Sequence, residues 1–381
     1  MLFSLLTLPV AAALLLDLIR YRRGRISRLG LWFWIAADAL PLWFIALFLL
    51  ADNTPTITRL MMGSIWLWMF LFVPRTLRAI FAAVRLPRLG IGIALLTAAT
   101  LLYGAVWGRC NLRVTHEEIC ARNLPAAFDG YRIAHFTDLH LGTLIHTEGE
   151  VGRLVERINA LDPDLVCFTG DLVNIRHSEL DAPAMRLLQG IKAPVVSILG
   201  NHDLGTYIRD TIALPAEISE QRLIEQQQQM RWMLLQDSTR YLHRGADSIS
   251  LTGLSFHRAQ REDRHKHDLP MTEEGAKAYR AVPDSLYNIT LVHIPQWWEQ
   301  ILALGYGDLT LAGHTHAMQL KLRLGKGQGW SPAGWLYERW SGRYDLNGST
   351  LYINDGIGYV GYPMRIGARP EITLYTLKRC E

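Results

Sequence analysis

Apolar residues are spread unevenly along the chain. Through the first 108 positions they run almost without a break, relieved mainly by clusters of arginine. Beyond that, short apolar runs alternate with polar stretches. Four long runs stand out: Leu2–Ile19, Leu31–Ala51, Leu60–Val73 and Leu89–Trp107. A transmembrane helix needs about twenty predominantly apolar residues. The runs therefore predict a bundle of about four spans, of which the third is the shortest. A secretory signal carries its positive charge ahead of its apolar run. Here the arginines (Arg20, Arg22, Arg23, Arg25, Arg28) follow it, so Leu2–Ile19 reads as a span and not as a leader.

Arginines also set the orientation. Five follow the first run and four (Arg75, Arg78, Arg85, Arg88) follow the third, whereas Arg59 stands alone between the second and third. Positively charged loops stay cytoplasmic. A multi-pass protein of the cell membrane follows, with everything after Trp107 on the extracytoplasmic face, periplasmic or outer. If the third run does not span, the parity reverses and the following domain is cytoplasmic. Trp32, Trp34, Trp43, Trp66, Trp68 and Trp107 suit membrane interfaces. Asp17 and Asp38 lie in or beside spans, where carboxylates are costly, but Asp17 is close to an interface and neither is assigned a site.

The organisation expected is a transmembrane helical region at 1–108, a linker and domain entry at 109–130, and a soluble domain at 131–381. In the last, strand-like and helix-like stretches alternate, which predicts a layered α/β fold. Helices are expected at Gly149–Leu161, with Val151, Leu154, Val155 and Ile158 on one face, at Ala184–Gln189, and at Glu217–Leu235. In the last of these, Leu223, Ile224, Met230, Met233 and Leu234 are read as core-facing. Ser248–Leu254 and Glu371–Leu377 read as strands, Arg258–His267 as a solvated charged loop, and Ser331–Ile366 as hairpins and loops around a site mouth.

Five apolar runs end in a polar cluster. Tyr131–Thr137 leads into Asp138-Leu139-His140, and Asp164–Thr169 into Gly170-Asp171. Pro194–Leu199 leads into Gly200-Asn201-His202-Asp203. Ile289–Val292 leads into His293, and Asp308–Ala312 into Gly313-His314-Thr315-His316. Side chains just past strand ends gather at a sheet edge, where open α/β sheets hold their sites. A lone Asp-x-His is common, and a lone His after a strand is more often a satisfied hydrogen-bonding group. Gly-Asn-His-Asp is more specific, because Asn-His-Asp suits neither strand nor core and Gly permits close backbone approach.

Net charge is +4 for 381 residues, too small to suggest nucleic-acid binding. The four cysteines form neither a disulfide framework nor a zinc pattern. Cys167 reads as a buried thiol, Cys110 and Cys120 could pair in an oxidising compartment, and Cys380, next to last, is expected to be mobile. The clusters instead offer carboxylate and amide oxygens with imidazole nitrogens, enough for two divalent metal ions. That mixture suits Mn, Zn, Fe or Co better than Ca. Two such ions about 3.5–4 Å apart share a bridging carboxylate and a hydroxide nucleophile, and stabilise charge on phosphoryl oxygens. The chemistry implied is phosphoester hydrolysis without an organic cofactor.

These motifs, in this order, resemble the calcineurin-like metallophosphoesterase superfamily, and the apolar third resembles its bacterial membrane-anchored members. The resemblance implies a layered β-sandwich flanked by helices. It implies that Asp138, His140, Asp171 and His316 hold one metal, and that Asp171 bridges to a second held by Asn201, His293 and His314. It also implies that His202 protonates the leaving oxygen or stabilises the transition state, with Asp203 orienting it. Anchoring favours a membrane lipid or lipid-linked phosphoester (diester, pyrophosphate or monoester). The alternatives are a broad-specificity esterase for soluble substrates, a UDP-diacylglucosamine pyrophosphate hydrolase if the domain is cytoplasmic, and a non-catalytic membrane scaffold or sensor. A scaffold has no need of the full residue set.

Overall fold

The computed structural model describes residues 2–209, 214–263, 269–323, 325 and 329–380, without the side chains of 2–9 and 261–263. Two compact units are present. One comprises Met1–Trp107 with Arg209–Ile212 and Val360–Met364, and the other comprises Gly108–Ile208, Ala213–Tyr359 and Arg365–Glu381.

The first unit contains α1 (Leu2–Arg22), α2 (Arg28–Asp38), α3 (Leu40–Leu50), α4 (Pro55–Ala83) and α5 (Pro87–Val106). Among the described residues, three segments are long and apolar enough to cross a membrane: Arg28–Leu50, Pro55–Ala83 and Pro87–Cys110. Four were expected. The remaining run lies in α1, a helix of 21 residues that begins in the part whose side chains are not described. The second run divides into α2 and α3 at Ala39, two residues before Pro41. Proline fits a helix's first turn at no cost and is costly in its interior, so Pro41 favours a new helix starting at Leu40, although α4 carries Pro74 within its length. The third run, the shortest by apolar length, belongs to the 29-residue α4. Thr54 caps it, accepting from the Ile57 N–H at 3.3 Å, and Pro55 occupies the first turn. Both acidic residues have a partner. Arg75 donates to Asp17 at 2.8 Å and to both oxygens of Asp38 at 2.6 and 2.8 Å. Pairing of this kind offsets the cost of charge among apolar helices.

The second unit is an α/β sandwich of two mixed six-stranded sheets. Its strands are β1 (Arg113–Ala121), β2 (Arg132–Phe136), β3 (Leu165–Phe168), β4 (Val195–Ser197), β5 (Met233–Leu234), β6 (Ser238–Arg244), β7 (Asp247–Gly253), β8 (Asn288–Leu291), β9 (Leu309–Ala312), β10 (Gly342–Leu346), β11 (Ser349–Ile353) and β12 (Glu371–Arg379). One sheet runs β1-β12-β2-β3-β4-β5 and the other β10-β11-β9-β8-β7-β6. Between them lies an apolar core that includes Ile133, Leu165, Val196, Ile198, Leu251, Ile289, Leu309 and Leu311. Strands buried on both faces read as continuous apolar runs, which is why β2, β3, β8 and β9 stand out in the sequence. Helices α6 (Thr147–Ala160), α7 (Ala182–Leu188), α8 (Ala216–Gln229), α9 (Glu273–Lys277) and α10 (Trp298–Ala303) complete the unit. The buried face of α6 carries Val151, Leu154, Val155 and Ile158, as its period predicts.

Several expectations need correction. The stretch read as a linker contains β1, which pairs in parallel with β12. As an edge strand it is only partly buried, so it lacks an apolar signature. The helix expected to reach Leu235 stops at Gln229, and Met233 and Leu234 form β5; Met233 is exposed, not core-facing. Cys120 is bonded to Cys380 and not to Cys110, which is free. The bond follows from the β1–β12 pairing, which sets Cys120 opposite Lys378 and brings the chain's end alongside. Part of the charged stretch, 264–268, lies outside the described residues.

Candidate metal centre

The five polar clusters follow the ends of β2, β3, β4, β8 and β9. Sequence spacing suggests one sheet edge, but the strands divide between two sheets. β2, β3 and β4 are parallel neighbours in one, and β8 and β9 are parallel neighbours in the other. The centre is therefore assembled from the carboxyl ends of both layers. The backbone is forced there: Asp138, His140, Asp171, His314 and His316 all have positive φ, at 54°, 45°, 60°, 72° and 50°. Such conformations cost of order 1–3 kcal/mol each and persist at functional sites where the surroundings over-determine them. Two glycines allow the approach. A side chain on Gly200 would begin 2.2 Å from Asp171 Oδ1, and one on Gly313 would begin 2.4 Å from Asp138 Oδ2.

The structure brings seven of the expected residues into two groups. In the first, His316 Nε2 lies 3.2 Å from Asp138 Oδ1 and 3.1 Å from His140 Nε2. His140 Nε2 is 3.6 Å from Asp171 Oδ2. In the second, His293 Nε2 lies 3.2 Å from that same Asp171 oxygen, 3.1 Å from Asn201 Oδ1 and 3.2 Å from His314 Nδ1. Asp171 Oδ2 is thus common to both. Asp138, His140 and His316 form one compact donor group able to hold a metal ion, and Asp171, His293 and His314 form another. Imidazole nitrogens facing each other at such distances need a proton or a cation between them. Among the described residues, the buried Asp138 Oδ1 has no hydrogen-bond partner. Carboxylate, amide oxygen and imidazole together fit divalent transition metals.

The electrostatics agree. Burial works to raise the Asp138 carboxyl, but His316 and His140 hold it well below the usual range. Burial likewise works against Asp171, and His293 with His202 keeps it low. Burial opposes charge on His293, yet Asp171 raises that ring to about 9. Both carboxylates are therefore ionised at neutral pH and ready for a cation.

His202 forms a third compact group with His140 and Asp171. Its ring stacks on Tyr207 with centroids 4.3 Å apart and meets His140 edge-on at 4.8 Å. Burial lowers it to about 4 against the pull of Asp171. The orienting partner expected was Asp203, but His202 Nδ1 donates to the Asn174 carbonyl at 2.6 Å. Asp203 is instead claimed by four backbone donors: Asp171 and Gly200 N–H on one oxygen at 2.7 and 2.9 Å, Leu172 and Val173 N–H on the other at 2.8 and 3.1 Å. It ties the Asp171 loop to the Asn201 loop.

Thr169, Tyr337 and Glu179 in the surroundings escape the sequence reading, in which Arg343 and Arg365 of the glycine-rich tail are arginines that could meet a phosphate and are assigned no site. His293 Nδ1 donates to the Thr169 carbonyl at 2.8 Å, and Tyr337 Oη meets His314 Nε2 at 3.2 Å. Arg365 is buried against His316 Nδ1 at 3.1 Å and donates to the carbonyls of Asp355, Gly358 and Ala368. Arg343, the other arginine of the glycine-rich tail, pairs with Asp345 at the surface. Glu179 accepts backbone N–H bonds from Gly142, Asn174 and Ile175. Burial raises its carboxyl to about 7 against those three bonds, which favour the ionised form.

Residues 131–318 match the calcineurin-like phosphoesterase family. The metallophosphoesterase YkuE of Bacillus subtilis is 27% identical over 296 residues, covering 74% of this chain and 93% of its own length. A transmembrane protein with metallophosphoesterase domain from Danio rerio is 30% identical over 292 residues, covering 75% of this chain and 62% of its own. A solved dimetal phosphatase from Danio rerio has a TM-score of 0.38 at 13% identity, covering 60% of this chain and 88% of its own. The segment that carries the two donor groups belongs to the calcineurin-like metallophosphoesterases, and the chain is a metal-dependent phosphoesterase of that family.

Proposed function

We propose that this protein is a membrane-bound hydrolase of a lipid or lipid-linked phosphoester. The observation that carries the chemistry is the single Asp171 oxygen shared by two donor groups. Asp138, His140, Asp171 and His316 would hold one divalent ion, and Asp171, Asn201, His293 and His314 the other. Such a pair activates water and neutralises charge on the phosphoryl oxygens. The chain's own residues do the rest. The ionised Asp138 and Asp171 fix the positions of the cations, and the rings of His293 and His202 are held by the Thr169 and Asn174 carbonyls. With Nδ1–H committed to Asn174, His202 presents Nε2 to the centre, where it carries a proton to the leaving oxygen. Asp203 keeps two of the contributing loops in register.

A membrane-linked substrate is supported by the three candidate spans and by the few residues that separate α5 from β1. The transmembrane description of the Danio rerio relative supports it as well. The test is to incubate the metal-loaded protein with a total lipid extract and follow the lipids by mass spectrometry. Loss of one phosphate-bearing lipid class with appearance of its hydrolysis product is expected. An unchanged lipid profile beside brisk cleavage of soluble esters would reject a lipid substrate.

We further infer that the hydrolase domain faces the extracytoplasmic side. The arginine distribution supports this, and so does the Cys120–Cys380 disulfide, since disulfides persist in oxidising compartments. A compartment-sensitive reporter fused after Glu381 should give an extracytoplasmic signal. A cytoplasmic signal would reverse the assignment.

A further inference from the structure

The contact that orients His202 is made by a backbone carbonyl, and that carbonyl belongs to a peptide that is itself held. The Asn174 C=O and the Ile175 N–H are the two ends of one planar unit. On one side the carbonyl accepts from His202 Nδ1 at 2.6 Å, and on the other the Ile175 N–H donates to Glu179 Oε1 at 3.0 Å. Glu179 Oε2 accepts the preceding N–H, that of Asn174, at 2.5 Å, and the Gly142 N–H at 3.1 Å. The carboxylate is buried, with 7% of its residue surface exposed, so these contacts are little screened by water. Hydrogen bonds in series polarise one another. A carboxylate on the N–H end of a peptide makes its carbonyl a stronger acceptor for the ring at the other end. The arrangement does through one peptide what a carboxylate beside a catalytic imidazole does directly, and Asp203, the partner expected from the sequence, accepts backbone N–H groups instead.

We propose that Glu179 is a positioning residue for the reaction, holding and polarising the Asn174–Ile175 peptide that orients His202. This rests on the reading of the centre as a phosphoester hydrolase in which His202 moves a proton. A purely structural Glu179 would instead satisfy three loop N–H groups and act on all ligands alike, His140 included, since Gly142 lies two residues beyond it.

The two roles separate in a double-mutant cycle on the full-length, metal-loaded protein, with Glu179→Gln, His202→Ala and the double variant. Turnover of bis-p-nitrophenyl phosphate is measured together with metal content by elemental analysis. Glutamine keeps the size of the side chain but sets a donor against backbone donors. Glu179→Gln is expected to lower kcat by about 10–10²-fold with KM little changed, the scale of a misplaced catalytic group. Metal content should equal that of the wild type. In the His202→Ala background the same change should cost less than about 2-fold, because its effect passes through the ring already removed. Losses that multiply, or a fall in metal content, would assign Glu179 to loop structure and overturn the proposal. Full activity of His202→Ala alone would remove the proton-transfer reading and this proposal with it, a result distinct from multiplying losses. If Glu179→Gln does not fold, Glu179→Asp, which keeps the charge but withdraws it by one methylene, carries the same cycle. Failure of both to fold would place Glu179 in the fold and overturn the proposal.

Discussion

Replacing His202 with alanine is expected to lower kcat by about 10²–10⁴-fold, the usual contribution of a positioned acid or base, while metal content stays at the wild-type level. The ring lies in a compact group with His140 and Asp171, so a role as ligand has to be separated from a role in proton transfer. Its Nδ1 is committed to Asn174 and its face to Tyr207, which leaves Nε2 for the reacting group. The two donor groups that share Asp171 are complete without it. Burial holds the free ring neutral, and an entering phosphoester anion favours its protonated form. Turnover of an aryl phosphodiester and elemental analysis on the same preparation decide the matter. Undiminished turnover would remove His202 from the mechanism, and lost metal would make it a ligand.

Removing the metal is expected to have the largest effect, lowering turnover to background. The seven donors have little to do but hold cations. Asp138 and Asp171 remain ionised in the buried centre, and the facing imidazoles lie 3.1 and 3.2 Å apart. A ligand that binds only the folded state stabilises it, by about 2.7 kcal/mol at a hundred times its Kd. Chelation should therefore also lower the thermal midpoint, and return of metal should restore both. A midpoint insensitive to metal would show that the donors are satisfied by one another.

The sequence and the structure agree where chemistry is concentrated in short motifs. Each of Asp138, His140, Asp171, Asn201, His293, His314 and His316 sits within a few residues of the end of an apolar strand, so order along the chain was enough to propose that they meet. What the pattern could not show is which sheet each strand joins, because apolar runs buried on both faces carry no record of their neighbours. Asp203 was misread for a related reason. An acid that follows a histidine in sequence does not become its partner when four backbone N–H groups compete for the carboxylate. Asn174 and Glu179 were invisible because they act through a backbone carbonyl and N–H groups, which no motif records, and Arg365 was left unassigned because nothing in the sequence buries that arginine against His316. Cys380 was misjudged because a terminal position says nothing of the edge strand that the chain's end pairs with.

The central claim is that hydrolysis at this centre depends on divalent transition metal held between the two donor groups. It is tested most directly by assaying the purified full-length protein on a generic aryl phosphodiester before and after exhaustive chelation, then with Mn, Zn, Fe or Co returned. Background turnover is expected in the stripped protein, with recovery when metal is restored. Turnover that survives complete stripping, verified by elemental analysis, would contradict it.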